Sequence, residues 1–149
     1  MFSLPSSRLY NQDTFYKAFL HDIERVQTRV IIESPFITEK RMNLLLPTLI
    51  KLRNKNVHII INTKPFEEHE QRYRDQAIWA VGIMQDIGIE VLMTVGHHRK
   101  IAIIDDNILW EGSLNILSQN DSCEIMYRIL STELVGDFLN HINFKKWSK

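Results

Sequence analysis

The chain of 149 residues has a single cysteine, Cys123, and no excess of either charge. One cysteine excludes an intrachain disulfide and a cysteine-rich zinc site, and it fits a reducing compartment. Eighteen Lys and Arg residues balance eighteen Asp and Glu residues, so no overall positive field marks the protein as a nucleic-acid binder. Any site for an anion must therefore be local.

Long apolar runs are also missing from the sequence. No eighteen uninterrupted apolar residues occur, and the first ten residues, MFSLPSSRLY, lack the basic and apolar regions of a secretory signal. We therefore expect a cytoplasmic protein with no membrane association. The composition, 44% hydrophobic and 24% charged, is typical of a folded chain, and its length predicts one domain over residues 1–149.

Helical and strand patterns alternate along the chain. Apolar residues at helical spacing predict four helices, over 11–28, 38–56, 70–88 and 131–147. Apolar and β-branched runs predict strands between them, over 29–33, 57–63, 89–95 and 123–130. Because strands separated by helices need crossover connections, we expect an α/β fold with a mostly parallel sheet. A late hairpin adds an antiparallel extension, which makes the sheet mixed.

Capping residues and one proline refine two of the helices. Thr38 is placed to cap the second helix, and Ser131 or Thr132 is placed to cap the fourth. Pro47 has no backbone N–H to donate, so we expect it to kink the second helix or to divide it in two.

The segment GHHRKIAIIDDNILWEGSLN, residues 96–115, predicts a hairpin. Asp106 and Asn107 tolerate the positive φ angles of a tight two-residue turn. Such a turn fixes the register, so that the numbers of opposing residues sum to 213. One face of this hairpin offers apolar side chains for packing against helices, namely Ile101, Ile103 and Trp110.

The other face collects four polar side chains at one end, namely His98, Lys100, Ser113 and Asn115. A single histidine or lysine on a strand is usually solvated or satisfied locally. An imidazole, an amine, a hydroxyl and an amide on one face can bind a phosphate and also attack it. The imidazole can serve as nucleophile or proton donor near neutral pH, and the other three groups can neutralise charge that builds on the phosphate oxygens.

Asp105 lies seven residues beyond His98, about 23 Å along an extended strand. This separation prevents both side chains from contacting one phosphate, so we expect Asp105 to have a structural role at the turn. His97, Asp105 and Asp106 could suggest a metal site instead, but the same separation argues against it. We therefore expect no metal and no cofactor.

Together the polar residues spell H-x-K-x4-D-x6-G-S-x-N, which is carried by His98, Lys100, Asp105, Gly112, Ser113 and Asn115. The pattern resembles the HKD motif of the phospholipase D superfamily, and the order of elements from about residue 11 to residue 147 is similar to one repeat of that superfamily. The resemblance implies metal-independent phosphodiester cleavage. One histidine forms a phosphohistidine, a second histidine protonates the leaving oxygen, and water releases the intermediate.

Glu124 resembles the family carboxylate that hydrogen-bonds a catalytic histidine; the alternative is a solvated glutamate on an edge strand. The family site uses two motifs, whereas this chain has one. The resemblance therefore implies a homodimer in which two copies of His98 and Lys100 meet at a two-fold axis.

Small size, a single motif and the missing membrane segment favour a nuclease acting on DNA or RNA, with DNA preferred. The segment ILWEGSLNILSQNDSCEIMYRI is similar to phospholipase D-like modules carried by DNA helicases. A helicase or another targeting domain could then supply the DNA affinity that a balanced charge does not provide. Two alternatives stay open: a phospholipid-processing enzyme, and a non-catalytic nucleic-acid-binding or dimerisation module.

Overall fold

The computed structural model describes residues 6–118 and 122–142. Its strands are β1 (Ser6–Asn11), β2 (Arg29–Glu33), β3 (His58–Thr63), β4 (Glu90–Met93), β5 (Ile101–Ile104), β6 (Ile108–Gly112) and β7 (Ile125–Leu130). Its α-helices are α1 (Phe15–Ile23), α2 (Glu39–Asn54), α3 (Gln71–Asp86) and α4 (Thr132–His141). The strands form one mixed sheet in the order β1-β7-β6-β5-β2-β3-β4. The predicted α/β class with a mixed sheet is therefore confirmed.

The sheet contains more antiparallel pairing than the sequence predicted. Strands β2, β3 and β4 are parallel neighbours, whereas the other four pairings are antiparallel. The expectation of a mostly parallel sheet is wrong: β5, β6 and β7 follow one another without helices and are antiparallel neighbours, and β5 also pairs antiparallel with β2. Strand β1 was not predicted, and it adds a further antiparallel pairing along β7, from Ser6 opposite Leu130 to Asn11 opposite Ile125.

Two apolar layers cover the two faces of the sheet. Helices α1, α2 and α3 pack on one face, against side chains that include Ala102, Ile104 and Trp110. Helix α4 packs on the other face, against side chains that include Ile101 and Ile103. Helices consequently cover both faces of the sheet at strand β5.

The caps predicted at Thr38 and Ser131 are present, but Pro47 does not divide its helix. The hydroxyl of Thr38 accepts the N–H of Arg41 at 3.4 Å, and the hydroxyl of Ser131 accepts the N–H of Leu134 at 3.0 Å. Helix α2 runs through Pro47 without interruption. Pro47 is exposed, so solvent can satisfy the carbonyl that loses its helical partner.

The last predicted helix extends to residue 147, and residues 143–147 lie outside the described part of the chain. Within the described part, no helix combines the length and apolar character needed to cross a bilayer.

Candidate active site

The hairpin of β5 and β6 has a register one residue away from the prediction. Ala102 lies opposite Trp110, and opposing residue numbers sum to 212 instead of 213. The connection contains residues 105–107, and Asp105 begins it with a positive φ of 53°. The predicted two-residue turn is therefore wrong. Trp110 also lies on the face of Ala102, opposite Ile101, which corrects its predicted face.

Asp105 ties this turn to the chain that enters β2. Its carboxylate accepts the N–H of Thr28 at 2.8 Å, of Gln27 at 3.2 Å and of Arg29 at 3.3 Å. Desolvation alone would raise the pKa of Asp105, but the hydrogen bonds donated by these groups outweigh it and hold the pKa below its ordinary value. Asp105 thus lies in a structural contact at the end of β5 away from His98.

The two halves of the motif meet at the other end of the hairpin. His98 and Lys100 precede β5, while Ser113 and Asn115 follow β6. These four motif residues therefore flank the paired strands of the hairpin and do not lie on them. The N–H of Gly112 donates to the carbonyl oxygen of Lys100 at 3.3 Å, so the two segments lie side by side.

The imidazole of His98 is open to solvent, whereas Lys100 is half-buried beside it. The ammonium of Lys100 donates to the backbone carbonyl of His98 at 2.9 Å. This contact places the cation next to the histidine backbone and leaves two further donors of the ammonium for other partners.

Gly112 permits a close approach of β6 to β7. A Cβ atom at this position would overlap the carbonyl oxygen of Ile125 and lie 2.9 Å from the Cα of Met126. Ser113 then bonds directly to the neighbouring strand: its hydroxyl accepts the N–H of Ile125 at 3.0 Å, and its own N–H donates to the Ile125 carbonyl at 3.0 Å. The hydroxyl proton lies on a long 3.4 Å contact with that carbonyl, and it can turn towards a ligand.

Asn115 and Glu124 lie in the segments that follow β6 and precede β7. Asn115 is half-buried, and its Oδ1 has no hydrogen-bond partner within residues 6–118 and 122–142. The carboxylate of Glu124 accepts the hydroxyl of Ser122 at 2.8 Å. The backbone N–H of Glu124 donates to the side-chain oxygen of Gln12 at 2.9 Å. The predicted hydrogen bond that a catalytic histidine would donate to Glu124 stays a prediction.

A buried polar cluster next to the motif was missed by the sequence analysis. Glu33 ends β2 and Asn62 lies opposite it near the end of β3, and both are almost fully buried. Arg99 donates two hydrogen bonds to the Glu33 carboxylate, at 2.8 and 2.9 Å, and Asn62 donates a third at 2.9 Å. Nε2 of His97 lies 3.6 Å from the same carboxylate. The available signal was a pair of apolar runs, VIIE and IIIN, that each end in a polar residue.

The cluster is not arranged as a metal site. Across the described residues, no three His, Cys, Asp or Glu side chains group closely enough to hold a metal ion. The carboxylate of Glu33 accepts hydrogen bonds from the guanidinium of Arg99 and the amide of Asn62. The guanidinium of Arg99 therefore balances its negative charge.

Comparison with known proteins identifies the class that this fold and motif define. A family model described as "Cardiolipin synthase, PLD-like domain" matches residues 19–146. Since this span covers most of the chain, the protein belongs to the phospholipase D superfamily, and the predicted superfamily is confirmed. No curated protein matches the chain in a direct comparison.

Solved structures share the fold at low sequence identity. Nuc from Salmonella typhimurium, a phospholipase D family member, matches with a TM-score of 0.75 and 18% identity over 93% of this chain and 91% of that one. NucT from Helicobacter pylori matches with a TM-score of 0.72 and 17% identity over 97% and 96% of the two chains. TrmBL2, an archaeal chromatin protein that binds DNA, matches with a TM-score of 0.62 and 14% identity over 93% and 52%. These similarities establish the fold alone.

Proposed function

We propose that the protein is a metal-independent phosphodiesterase that cleaves nucleic acid, preferably DNA, in a composite site formed by two copies of the chain. The observation that carries the proposal is the complete motif, H-x-K-x4-D-x6-G-S-x-N, with its two halves side by side through the Gly112–Lys100 hydrogen bond. Membership of the phospholipase D superfamily supports phosphodiester chemistry.

In the proposed reaction, the imidazole of His98 in one copy attacks phosphorus, and the bond from phosphorus to the leaving oxygen breaks. His98 of the second copy donates a proton to that oxygen. Water then attacks the phosphohistidine, gives its proton to the second histidine, and releases the phosphate monoester. The ammonium of Lys100 and the amide of Asn115 neutralise the charge on the non-bridging oxygens.

The dimer is part of the proposal because one motif supplies one histidine. Val95, three residues before His98, is 82% exposed, and Ile125, next to Glu124, is 50% exposed. Exposed apolar side chains that lie near the motif in the chain are suited to burial by a partner, which supports a second copy. The same side chains favour a phospholipid as the second candidate substrate, since acyl chains also require an apolar surface.

We favour nucleic acid over lipid because a backbone phosphate can approach an open edge, and both His98 and Ser113 are exposed there. The formal net charge of zero provides little general attraction for the DNA backbone. We therefore propose that a targeting domain or partner, such as a helicase, supplies the affinity for DNA.

A turnover assay in the presence of a chelator tests these proposals. The protein is first measured for solution mass and then incubated separately with single-stranded DNA, double-stranded DNA, RNA and phospholipid. We expect a dimer, cleavage of nucleic acid, and a loss of about 10³-fold or more in His98→Ala. An acid-labile phosphoryl group that is trapped on the wild type and absent from His98→Ala would support the covalent route.

Other outcomes of this assay contradict particular parts of the proposal. Turnover of phospholipid alone would replace the proposed substrate. Binding of nucleic acid without turnover would favour a non-catalytic module, and full activity in a monomer would exclude the composite site.

A further inference from the structure

The residues on both sides of His98 lie against one buried carboxylate, which Arg99 holds by hydrogen bonds and His97 approaches without one. Arg99 donates from Nε to Oε1 of Glu33 at 2.8 Å and from its terminal nitrogen to Oε2 at 2.9 Å. Nε2 of His97 lies 3.6 Å from Oε2, and the side chains of His97 and Glu33 are 2% and 1% exposed. His98 between them is exposed. The side chain of Arg99 is 44% exposed, but its guanidinium is fixed on Glu33, so the contacts of both neighbours with one carboxylate restrict the backbone that carries His98.

The carboxylate that serves as the anchor is itself fixed. The amide nitrogen of Asn62 donates to Oε2 of Glu33 at 2.9 Å, and the amide oxygen of Asn62 accepts the hydroxyl of Thr94 at 2.9 Å. Thr94 begins the segment 94–100 that carries His98. One continuous network therefore joins both ends of this segment to the ends of β2 and β3.

The charges of the cluster make this anchor costly to break. Burial is the main influence on His97 and lowers its pKa, although Glu33 opposes the change. At neutral pH the cation that faces Glu33 is therefore Arg99. Arg99 is partly exposed whereas Glu33 is buried, so loss of Arg99 leaves the buried carboxylate without its cation, and the fork between the two residues favours a single arrangement.

From these contacts we propose that Glu33 is a positioning residue that acts through Arg99 and His97 and holds the imidazole of His98 in the orientation required for attack on phosphorus. The inference rests on the proposed function, in which His98 is the nucleophile. Misplacing a reacting group by about 1 Å costs on the order of 10²-fold in rate. Loosening the anchor should therefore lower kcat, while KM depends mainly on groups outside the anchor, such as Lys100.

The chain offers a matched control in a second arginine–carboxylate fork. Arg128 donates to Asp22 at 2.7 and 2.9 Å, and Asp22 is also buried. This fork joins β7 to α1, and its two residues make no hydrogen bond or ion pair with the segment 94–100. Arg99→Gln and Arg128→Gln each leave a buried carboxylate without its guanidinium, so both lower stability, but only Arg99→Gln releases a neighbour of His98.

Two measurements distinguish a displaced His98 from a general loss of stability. The first is the determination of kcat and KM on the oligonucleotide that the wild type cleaves. The second is the NMR resonance of the imidazole Cε1–H of His98 in the unliganded protein, assigned from its absence in His98→Gln. We expect Arg99→Gln to lower kcat about 10²-fold, with KM within about twofold, and to shift or broaden the His98 resonance. Arg128→Gln should leave the His98 resonance and kcat unchanged.

Arg99→Lys keeps the charge and loses the planar fork, so it should lie between the wild type and Arg99→Gln in both readouts. It also provides the comparison if Arg99→Gln fails to fold. An equal loss of kcat in Arg99→Gln and Arg128→Gln, or a His98 resonance that does not change in the Arg99 variants, would overturn the inference. A wild type that cleaves no substrate would overturn the proposed function alone, and the resonance would then decide the positioning role.

Discussion

The carbonyl oxygen of Ile125 occupies the space that a Cβ atom on Gly112 would need. Because the obstructing atom belongs to the backbone, a side chain at Gly112 must displace β6 or β7. The hydrogen bonds between Ser113 and Ile125 follow immediately, so this displacement also moves the second half of the motif.

We predict that Gly112→Ala lowers the free energy of unfolding by about 2 kcal/mol or more and that it also reduces turnover. Urea unfolding and the cleavage assay measure the two effects. Gly82→Ala in α3 is the control, since a Cβ atom there meets open space, and we expect a gain of about 0.5–1 kcal/mol. A Gly112→Ala protein as stable as the wild type would contradict the steric argument.

Asp105→Asn should remove acid-sensitive stability. In the folded protein the pKa of Asp105 lies below its ordinary value of 3.8, so its contribution is complete above that value and is lost as the pH falls through the folded pKa. We expect the variant to lose about 1–2 kcal/mol at pH 7 through its weaker hydrogen bonds to the N–H groups at Thr28 and its neighbours. The difference from the wild type should shrink at about pH 2.

Urea unfolding at the two pH values checks this expectation. Asp106→Asn is the control because Asp106 is the exposed neighbour in the same turn. If both variants lost the same stability, the contacts of Asp105 with the entry to β2 would not be the cause.

His97 should make the protein less stable in mild acid. Burial lowers its pKa from the ordinary value of 6.5, so the unfolded chain binds a proton more readily than the folded protein. The part of the stability that depends on neutral His97 is therefore fully present above about pH 6.5, and it is lost as the pH decreases towards the folded pKa. Unfolding of the wild type and His97→Gln at about pH 7.5 and about pH 5.5 measures the effect.

We expect the loss on acidification to be smaller in His97→Gln than in the wild type. Part of the loss should persist, because burial also lowers the pKa of His69. An acid-linked loss as large in the variant as in the wild type would exclude His97 as a source.

Pro47→Ala should stabilise the protein. Proline in a helix interior is about 3 kcal/mol less favourable than alanine, and its rigidity in the unfolded chain offsets about 1 kcal/mol of that cost. Pro47 is exposed in an uninterrupted helix, so we expect a net gain of about 1–2 kcal/mol. Thermal unfolding measures the gain. Pro65→Ala, before the 3₁₀ turn at Phe66–Glu68, should give no gain.

Asn115→Ala should affect activity much more than stability. The variant removes a buried Oδ1 that has no partner among the described residues, so we expect the free energy of unfolding to change by less than about 1 kcal/mol. Loss of an amide donor to a phosphate oxygen should reduce kcat about 10²-fold. Unfolding and turnover are measured on the same preparation. A large loss of stability with little loss of activity would assign Asn115 to the fold.

Signals within a few neighbouring residues determined much of the fold and the candidate site. The caps at Thr38 and Ser131 were predicted because a hydroxyl and the N–H that it caps lie within one helical turn. The apolar runs of β2 and β3 were predicted because both faces of these strands are buried. The spacing of the motif was sufficient to indicate the superfamily.

Contacts between distant residues decided the rest, and local patterns do not encode them. Strand β1 is mostly exposed and forms because β7 pairs with it, 114 or more positions later in the chain. Asp105 in the hairpin connection accepts the N–H of Thr28, a contact outside the hairpin that its own sequence does not indicate. Glu33 has the sequence of an ordinary strand end, and only the folded sheet brings it to Arg99, 66 residues away. The sequence by itself determined which residues carry the motif, and the tertiary structure decided what surrounds the histidine, because burial and charge pairing arise only when the strands assemble.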